Sequence, residues 1–281
     1  MTSRLVRSRA QFLGARAELD GRIGAVLTMG ALHRGHGALL SAARADADAV
    51  IATIFVNPKQ FGPNEDLSRY PDTLGADLDR CAAAGVDLVW APGVEDIYPA
   101  PSRIGLNAGE LGAGLEGEFR PGHFAGMLLV VNKFLHLLAP DSAFFGEKDY
   151  QQLALIRAMV ADLDMGVQIV GVPTTREPDG LALSSRNVFL SPADREDARA
   201  LSRALFAGQA AGPGGPEAVL AAAQDILAQV PSVAVDYLAL RAADLAPVPR
   251  QGAARLLVAA RVGNTRLIDN VPVQLKGDVQ L

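Results

Sequence analysis

Two histidines, His33 and His36, stand three residues apart in the segment TMGALHRGHGALL (28–40), with Gly35 between them and an apolar helical pattern behind. A helix opening near Gly35 or His36 presents its unsatisfied backbone N–H groups and the positive end of its dipole there, which makes an anion site. Both rings then project toward a phosphate and donate hydrogen bonds to charge that builds during displacement at phosphorus. Gly35 lets a ligand approach the backbone without a Cβ in the way, and Gly30 permits the turn out of the preceding strand. The plainer alternative is two partly exposed histidines capping a helix beside a turn glycine, and a four-residue spacing taken alone favours it. A zinc site is weaker still, because no HExxH and no third ligand stands nearby. The phosphate loop GxxxxGK followed by Ser or Thr, and a GxGxxG at the first strand, are both missing. A nucleotide site in this chain therefore uses the histidine version.

Other segments carry groups of the same kind. FFGEKDYQQL (144–153) sets Lys148 beside a helix start, where it can neutralise phosphate charge, and Asp149 either bonds ribose hydroxyls or caps the helix. REPDGLALSSRN (176–187) offers Ser184, Ser185 and Arg186 in succession, a clamp for β and γ phosphates or else an exposed polar turn. Gln60 and Gln152 are neutral amides suited to a substrate with hydroxyls and a carboxylate, although an isolated glutamine is also ordinary surface. No Ser/His/Asp or Cys/His arrangement has interpretable spacing, and Cys81, in DLDRCAAAG, reads as a helix residue packed on a sheet.

The elements that must hold these groups alternate in type. IGAVLTM (23–29), AVIATIFV (49–56), VDLVWAP (86–92), SAFF (142–145) and VQIVGVP (167–173) have strand length and composition. Helical spacing fills 37–47, 74–84, 124–138 and 149–162 between them, which predicts crossover connections and a doubly wound, Rossmann-like parallel α/β sheet. Ligands of such sheets bind beyond the carboxyl ends of the strands. That directs attention to the loops 28–36, 57–71 and 146–148. The Gly-rich stretch 98–124 is a lid or binding loop, or a poorly ordered excursion. Beyond Pro173, Ala-rich helices over 192–210 and 216–229 flank the breaker GPGGP, and strands follow over 233–241, 254–262 and 265–270. The expected division is a Rossmann-like domain carrying the candidate nucleotide site over 1–174 and a smaller α+β lid domain over 175–281.

A net charge of −5 argues against nucleic acid as partner. One cysteine excludes an intrachain disulfide framework and fits a reducing compartment. No hydrophobic signal core and no apolar stretch of about 18 residues is present, so a soluble, cytoplasmic protein is expected.

Taken together, the segments TMGALHRGH, IFVNPKQFGPNEDLSRYP, LEGEFRPGHFAGM, FFGEKDYQQLALIR, GLALSSRN and GNTRLIDN agree in order and spacing, and the chain resembles the pantothenate synthetases, a family of the nucleotidyltransferase superfamily. The resemblance implies that ATP and pantoate give pantoyl adenylate and pyrophosphate, after which β-alanine attacks the acyl carbon to release AMP. It also implies Mg²⁺ and a homodimer. Residue by residue, it implies that Met29, Gly30, Ala31, Leu32, His33, Arg34, Gly35 and His36 hold the ATP phosphates, with His36 as proton donor. Gly146, Glu147, Lys148 and Asp149 would meet ribose and phosphates, Thr175 the adenine, and Leu183, Ser184, Ser185 and Arg186 would form the phosphate clamp. Gln60 and Gln152 would bind pantoate, and Asp77 would lie near the metal. Loops 120–124 and 184–187 are candidate covers. Three positions depart from the family pattern: Leu27 for a proline, Leu129 for a threonine, and Lys59 where an apolar residue is common. Two other readings compete: a nucleotidylyltransferase acting on a phosphorylated acceptor, whose pocket would need to be basic, and a non-catalytic nucleotide-binding protein.

Overall fold

A computed structural model of the chain describes residues 3–63, 67 and 70–276. In chain order the elements are β1 (Arg4–Val6), α1 (Arg9–Ala17), β2 (Ile23–Thr28), α2 (Arg34–Asp46), β3 (Ala49–Ile54), α3 (Leu74–Ala83), β4 (Leu88–Trp90), α4 (Val94–Ile97), α5 (Glu116–Phe119), α6 (His123–Leu138), β5 (Ser142–Gly146), α7 (Tyr150–Asp162) and β6 (Gln168–Val172). There follow α8 (Pro192–Ala210), α9 (Gly215–Ala228), β7 (Val233–Ala242), β8 (Gly252–Val262) and β9 (Thr265–Leu275). Of the loop expected over 57–71, residues 64–66 and 68–69 lie outside those described.

By internal contacts the chain divides into two units, residues 1–146 with 155–173, and residues 147–154 with 174–281. The first holds a six-stranded sheet in the order β1-β4-β3-β2-β5-β6, with every pairing parallel. β2 and β3 read as nearly continuous apolar runs, IGAVLT and AVIATI, because a parallel strand covered on both faces has no solvent side to alternate toward. On one face Leu40 and Ala43 of α2 and Cys81 of α3 pack with Val26, Val50, Ala52, Val89 and Phe144. Elsewhere in this unit Phe12 of α1 stacks flat on Trp90 at 4.1 Å, and Trp90 meets Phe134 of α6 edge-on at 5.6 Å. Such pairs add about 0.5–1.5 kcal/mol each beyond the area they bury. The chain leaves β2 for β3 on one side and pairs it with β5 on the other, so the strand order reverses at β2. The carboxyl end of β2 leads into the histidine segment, and that of β5 into residues 147–149.

The second unit is an antiparallel meander, β7-β8-β9, with α8 and α9 supplying the apolar cover: Leu201, Leu205, Val219 and Leu227 pack with Leu256, Val258 and Val271. No helix among the described residues is long and apolar enough to cross a membrane.

Several boundaries differ from expectation. β1 and α1 have no counterpart among the expected elements; α1 starts with a capping box in which Ser8 accepts from Gln11 N–H and Gln11 reaches back to the backbone of Ser8. α2 begins at Arg34 rather than Gly37, because His33 itself supplies the cap. β9 runs past Asn270 to Leu275 and through Pro272, which is tolerated since β9 is an edge strand and needs no outward N–H there.

Candidate active site

The turn after β2 is tied down by side chains at nearly every peptide group. Thr28 Oγ1 donates to the carbonyl of Thr53 at 2.7 Å and accepts from Gly30 N–H at 3.2 Å. Gly30 has φ +85°, and Ala31 follows with φ +50°, a left-handed conformation that a residue with a Cβ adopts only when held there. The holder is Asp77 of α3, which is 1% exposed. Its Oδ1 accepts from Leu32 N–H at 2.8 Å, and its Oδ2 accepts from Ala31 N–H and from Thr73 Oγ1, each at 3.0 Å. Arg80, one turn further along α3, donates to the carbonyl of Leu32.

This turn delivers the two histidines to the first turn of α2. His33 is the cap residue, and its Nδ1 accepts from Gly35 N–H at 3.1 Å, while His36 Nδ1 accepts from His33 N–H at 3.2 Å. The rings lie 4.1 Å apart between centroids. A backbone N–H can only donate, so each Nδ1 is unprotonated and each neutral ring carries its proton on Nε2. Capping thus engages Nδ1 of each ring, so it does not conflict with a donor role for Nε2. Met29, His33, Gly35 and His36 are half-buried and Arg34 is exposed.

Gln60 sits at the end of a short 3-10 turn, Pro58–Gln60, capped by Asn57. Its carboxamide is buried and pinned at both ends: Oε1 accepts from Asn57 Nδ2 at 3.1 Å, and Nε2 donates to Met29 Sδ at 3.0 Å. Asn57, 1% exposed, also donates to the carbonyl of Gly126 at 3.1 Å and accepts from Tyr98 Oη at 2.9 Å. Burial pushes the Tyr98 hydroxyl up to about 12, so it stays a donor across the working range. His123, buried at the start of α6, bonds the main-chain carbonyl of Gln60 through Nδ1 at 2.8 Å and Arg120 through Nε2 at 3.0 Å. A guanidinium only donates and a carbonyl only accepts, so this ring is the opposite tautomer, Nδ1–H. Arg120 and His123, expected in a covering loop, thereby brace the Gln60 turn. Gly126 closes the contact: a Cβ there would stand 1.9 Å from the carbonyl oxygen of Lys59. The Lys59 side chain is exposed, with Nζ 5.1 Å from the Tyr98 ring centroid. Leu27 is an ordinary β2 residue in register with Thr53, and Leu129 is half-buried on α6.

In the second unit, Glu147–Asp149 form a 3-10 turn leading into α7, whose first turn carries half-buried Gln152. Lys148 Nζ lies 3.9 Å from Asp149 Oδ1, with the lysine side chain 19% and the aspartate 51% exposed. Asn270 of β9 donates to the carbonyls of both Glu147 and Lys148. Thr175 and Leu183 face each other across a hairpin, Leu183 N–H donating to the Thr175 carbonyl at 3.0 Å and Glu177 N–H to the Leu181 carbonyl at 2.8 Å. Ser184 caps the 3-10 turn Ser185–Phe189 by accepting from Arg186 N–H at 3.2 Å, which leaves its own O–H to donate elsewhere. Gly146, the last residue of β5, joins the two units' segments covalently.

Among the described residues no group of three or more His, Cys, Asp or Glu side chains converges as a metal site. The supporting residues Asn57, Tyr98, His123, Arg255, Asp269 and Asn270 are not among the site residues expected from the sequence. Asn57 alone has a local signal there, an asparagine directly before proline and three residues ahead of Gln60, as a cap requires.

The Pantoate-beta-alanine ligase family model matches residues 2–272. A pantothenate synthetase of Salinispora arenicola is 58% identical over 275 residues, covering 96% of this chain and 98% of its own. The crystal structure of a pantothenate synthetase from Thermus thermophilus superposes with a TM-score of 0.90 at 48% identity, covering 95% of this chain and 98% of that one. A pantoate-beta-alanine ligase from Francisella tularensis, solved in complex with beta-gamma ATP and β-alanine, gives 0.80 at 36% identity, with 96% and 97% covered. Agreement of this extent, along the sequence and in the fold that carries both histidines, establishes that the chain belongs to the pantoate–β-alanine ligase family.

Proposed function

We propose that the chain condenses pantoate with β-alanine in two steps driven by ATP. In the first, the pantoate carboxylate attacks the α-phosphorus, the bond to the β-phosphate oxygen breaks, and pyrophosphate leaves. In the second, the uncharged amine of β-alanine attacks the acyl carbon of pantoyl adenylate and AMP departs with the bonding electron pair. The observation that carries this reading is the reciprocal capping of His33 and His36, which fixes an Nε2–H on each ring at the N-terminus of α2. Two such donors beside the N–H groups of a helix start suit the negative charge that grows on the α-phosphate during displacement. Family membership and the ATP and β-alanine bound by the Francisella tularensis relative support the same substrates here.

The remaining roles follow from residue chemistry and the family resemblance. Met29–His36 hold phosphate, Gly146–Asp149 ribose and phosphate, the Thr175 backbone the adenine, and Leu183–Arg186 the β and γ phosphates. Lys148 and Arg186 supply the fixed positive charge. Gln60 is a pantoate ligand, since an amide pinned by Asn57 and Met29 offers a pre-set polar face to hydroxyls and a carboxylate, and Gln152 is its counterpart on α7. A phosphorylated acceptor would need a basic pocket, and the two groups that hold the Gln60 carboxamide, Asn57 and Met29, are neutral.

Mg²⁺ would arrive with the ATP phosphates, to which it usually binds through few protein carboxylates. Asp77 does not fit as its ligand: it is 1% exposed, and three of its roughly four acceptor sites already take protein donors at 2.8–3.0 Å. We assign Asp77 to the turn instead. The resemblance also carries a homodimer, which sedimentation equilibrium tests directly.

The decisive experiment is pyrophosphate release from ATP with pantoate, with and without β-alanine, at enzyme concentrations that resolve one turnover. A pantoate-dependent burst that becomes steady AMP formation on adding β-alanine is the expected result. Silence with pantoate, but turnover with a phosphorylated acceptor, would overturn it.

A further inference from the structure

The motif GNTRLIDN ends in two residues for which the reaction above has no use, Asp269 and Asn270, and both are at most 4% exposed. Asn270 Oδ1 accepts from Arg255 Nε at 2.7 Å, and Nδ2 donates to the carbonyls of Glu147 and Lys148, both at 2.9 Å. The orientation of the amide is forced, because carbonyls only accept and a guanidinium only donates. Arg255, 5% exposed, also pairs with Glu147 Oε2 at 2.7 Å and lies 3.9 Å from the centroid of the Tyr150 ring. The turn that carries Lys148 is thus gripped through its two successive carbonyls, through the Glu147 carboxylate, and through the first residue of α7.

Asp269 serves the other segment. It takes Arg176 in a two-pronged pair at 2.6 and 3.0 Å, and Arg176 also donates to the Gly180 carbonyl at 3.1 Å. Arg176 opens the hairpin whose return strand leads into Leu183–Arg186. Buried ion pairs and amides of this kind contribute little net stability, since apolar side chains of equal volume pack as well. What they provide is geometry, and they stand on a rigid ladder of eleven β8–β9 residue pairs.

We propose that Asn270, backed by Arg255, is a positioning residue for adenylation that acts through Lys148, and that Asp269 sets the Leu183–Arg186 segment in the same way through Arg176. The proposal rests on Lys148 being the group that neutralises phosphate charge. A turn released by one ångström forfeits up to about a hundredfold in rate.

The test is a double-mutant cycle on single-turnover pyrophosphate release with ATP and pantoate, without β-alanine. Asn270→Ala is expected to slow release about 10- to 100-fold at saturating ATP. In a Lys148→Ala background it is expected to add less than about twofold, since the group it positions is gone. Effects that multiply in the double variant, or a wild-type rate in Asn270→Ala, would overturn the proposal. A wild-type rate in Lys148→Ala alone would instead overturn the role given to Lys148. Should Asn270→Ala unfold, Asn270→Asp decides in the same cycle. It keeps the volume and the acceptor for Arg255, sets oxygen against both carbonyls, and is expected to show the same loss and the same non-additivity.

Discussion

Replacing Asp77 with asparagine separates a loop clamp from a metal ligand. The side chain keeps its volume, but one oxygen becomes an NH₂ group that must face a donor. The least costly orientation keeps oxygen at the Oδ2 position, where Ala31 N–H and Thr73 Oγ1 converge, and turns nitrogen toward Leu32 N–H. That orphans one buried N–H, at about 1–3 kcal/mol, and weakens two charge-assisted bonds to neutral ones, at about 0.5–1 kcal/mol each. The sum is about 2–5 kcal/mol, or roughly 6–14 °C in the melting temperature for a unit of this size. The left-handed Gly30–Ala31 turn then relaxes and carries His33 with it, so adenylation falls by about tenfold to a hundredfold. Thermal unfolding by circular dichroism, with single-turnover pyrophosphate release over a MgCl₂ titration, reads both quantities. A variant that melts like the wild type and regains its rate as Mg²⁺ is raised would refute the clamp and return Asp77 to the metal.

Other perturbations probe the remaining parts. His36→Ala removes one Nε2 donor and the acceptor of His33 N–H, and adenylation should fall about 10²- to 10³-fold while ATP affinity changes less than tenfold; equal losses would remove its transition-state role. Gly126→Ala drives a Cβ into the Lys59 carbonyl and should raise the pantoate KM at least about tenfold at a stability cost of about 1–3 kcal/mol, with the ATP KM nearly constant. An unchanged pantoate KM would mean the Gln60 turn is not held from α6. Burial, reinforced by Asp77, pushes the Cys81 thiol from 9.0 up to about 11. The folded state therefore holds this proton more tightly than the unfolded one, and stability present below pH 9 is lost as pH rises toward 11, by up to roughly 2–3 kcal/mol. Urea unfolding at pH 8 and pH 10.5 should show that loss in the wild type and a smaller one in Cys81→Ala.

What is legible in the sequence is governed by local physics. Apolar runs with strand composition locate β2, β3, β5 and β6, and the Ala-rich pattern marks α8 over its observed span, because each signal lies within a dozen or so residues. β1 escapes because three residues carry no periodicity, although SRAQ at 8–11 has the form of the capping box that starts α1. Candidates for the reactive groups can be named because their types are chemically specific. Their supports cannot: Asp77 meets the Ala31 turn across 46 residues and Asn270 meets Lys148 across 122, and no spacing rule connects partners that only the fold brings together.

The eight residues 147–154 that join the second unit from inside the first also impose an order on biosynthesis. Lys148 is polymerised 122 residues before Asn270, an interval of roughly 6–24 s at about 5–20 residues per second. For that time the Glu147–Asp149 turn exists without the amide that grips it. A nascent or truncated chain ending before β9 keeps both histidines and Arg255 but lacks the Asn270 amide that holds the carbonyls of Glu147 and Lys148. Completion of β9 is thus the step at which the segment bearing Lys148 gains its full set of contacts, and a transplanted C-terminal unit would have to bring its own copy of the 147–154 segment.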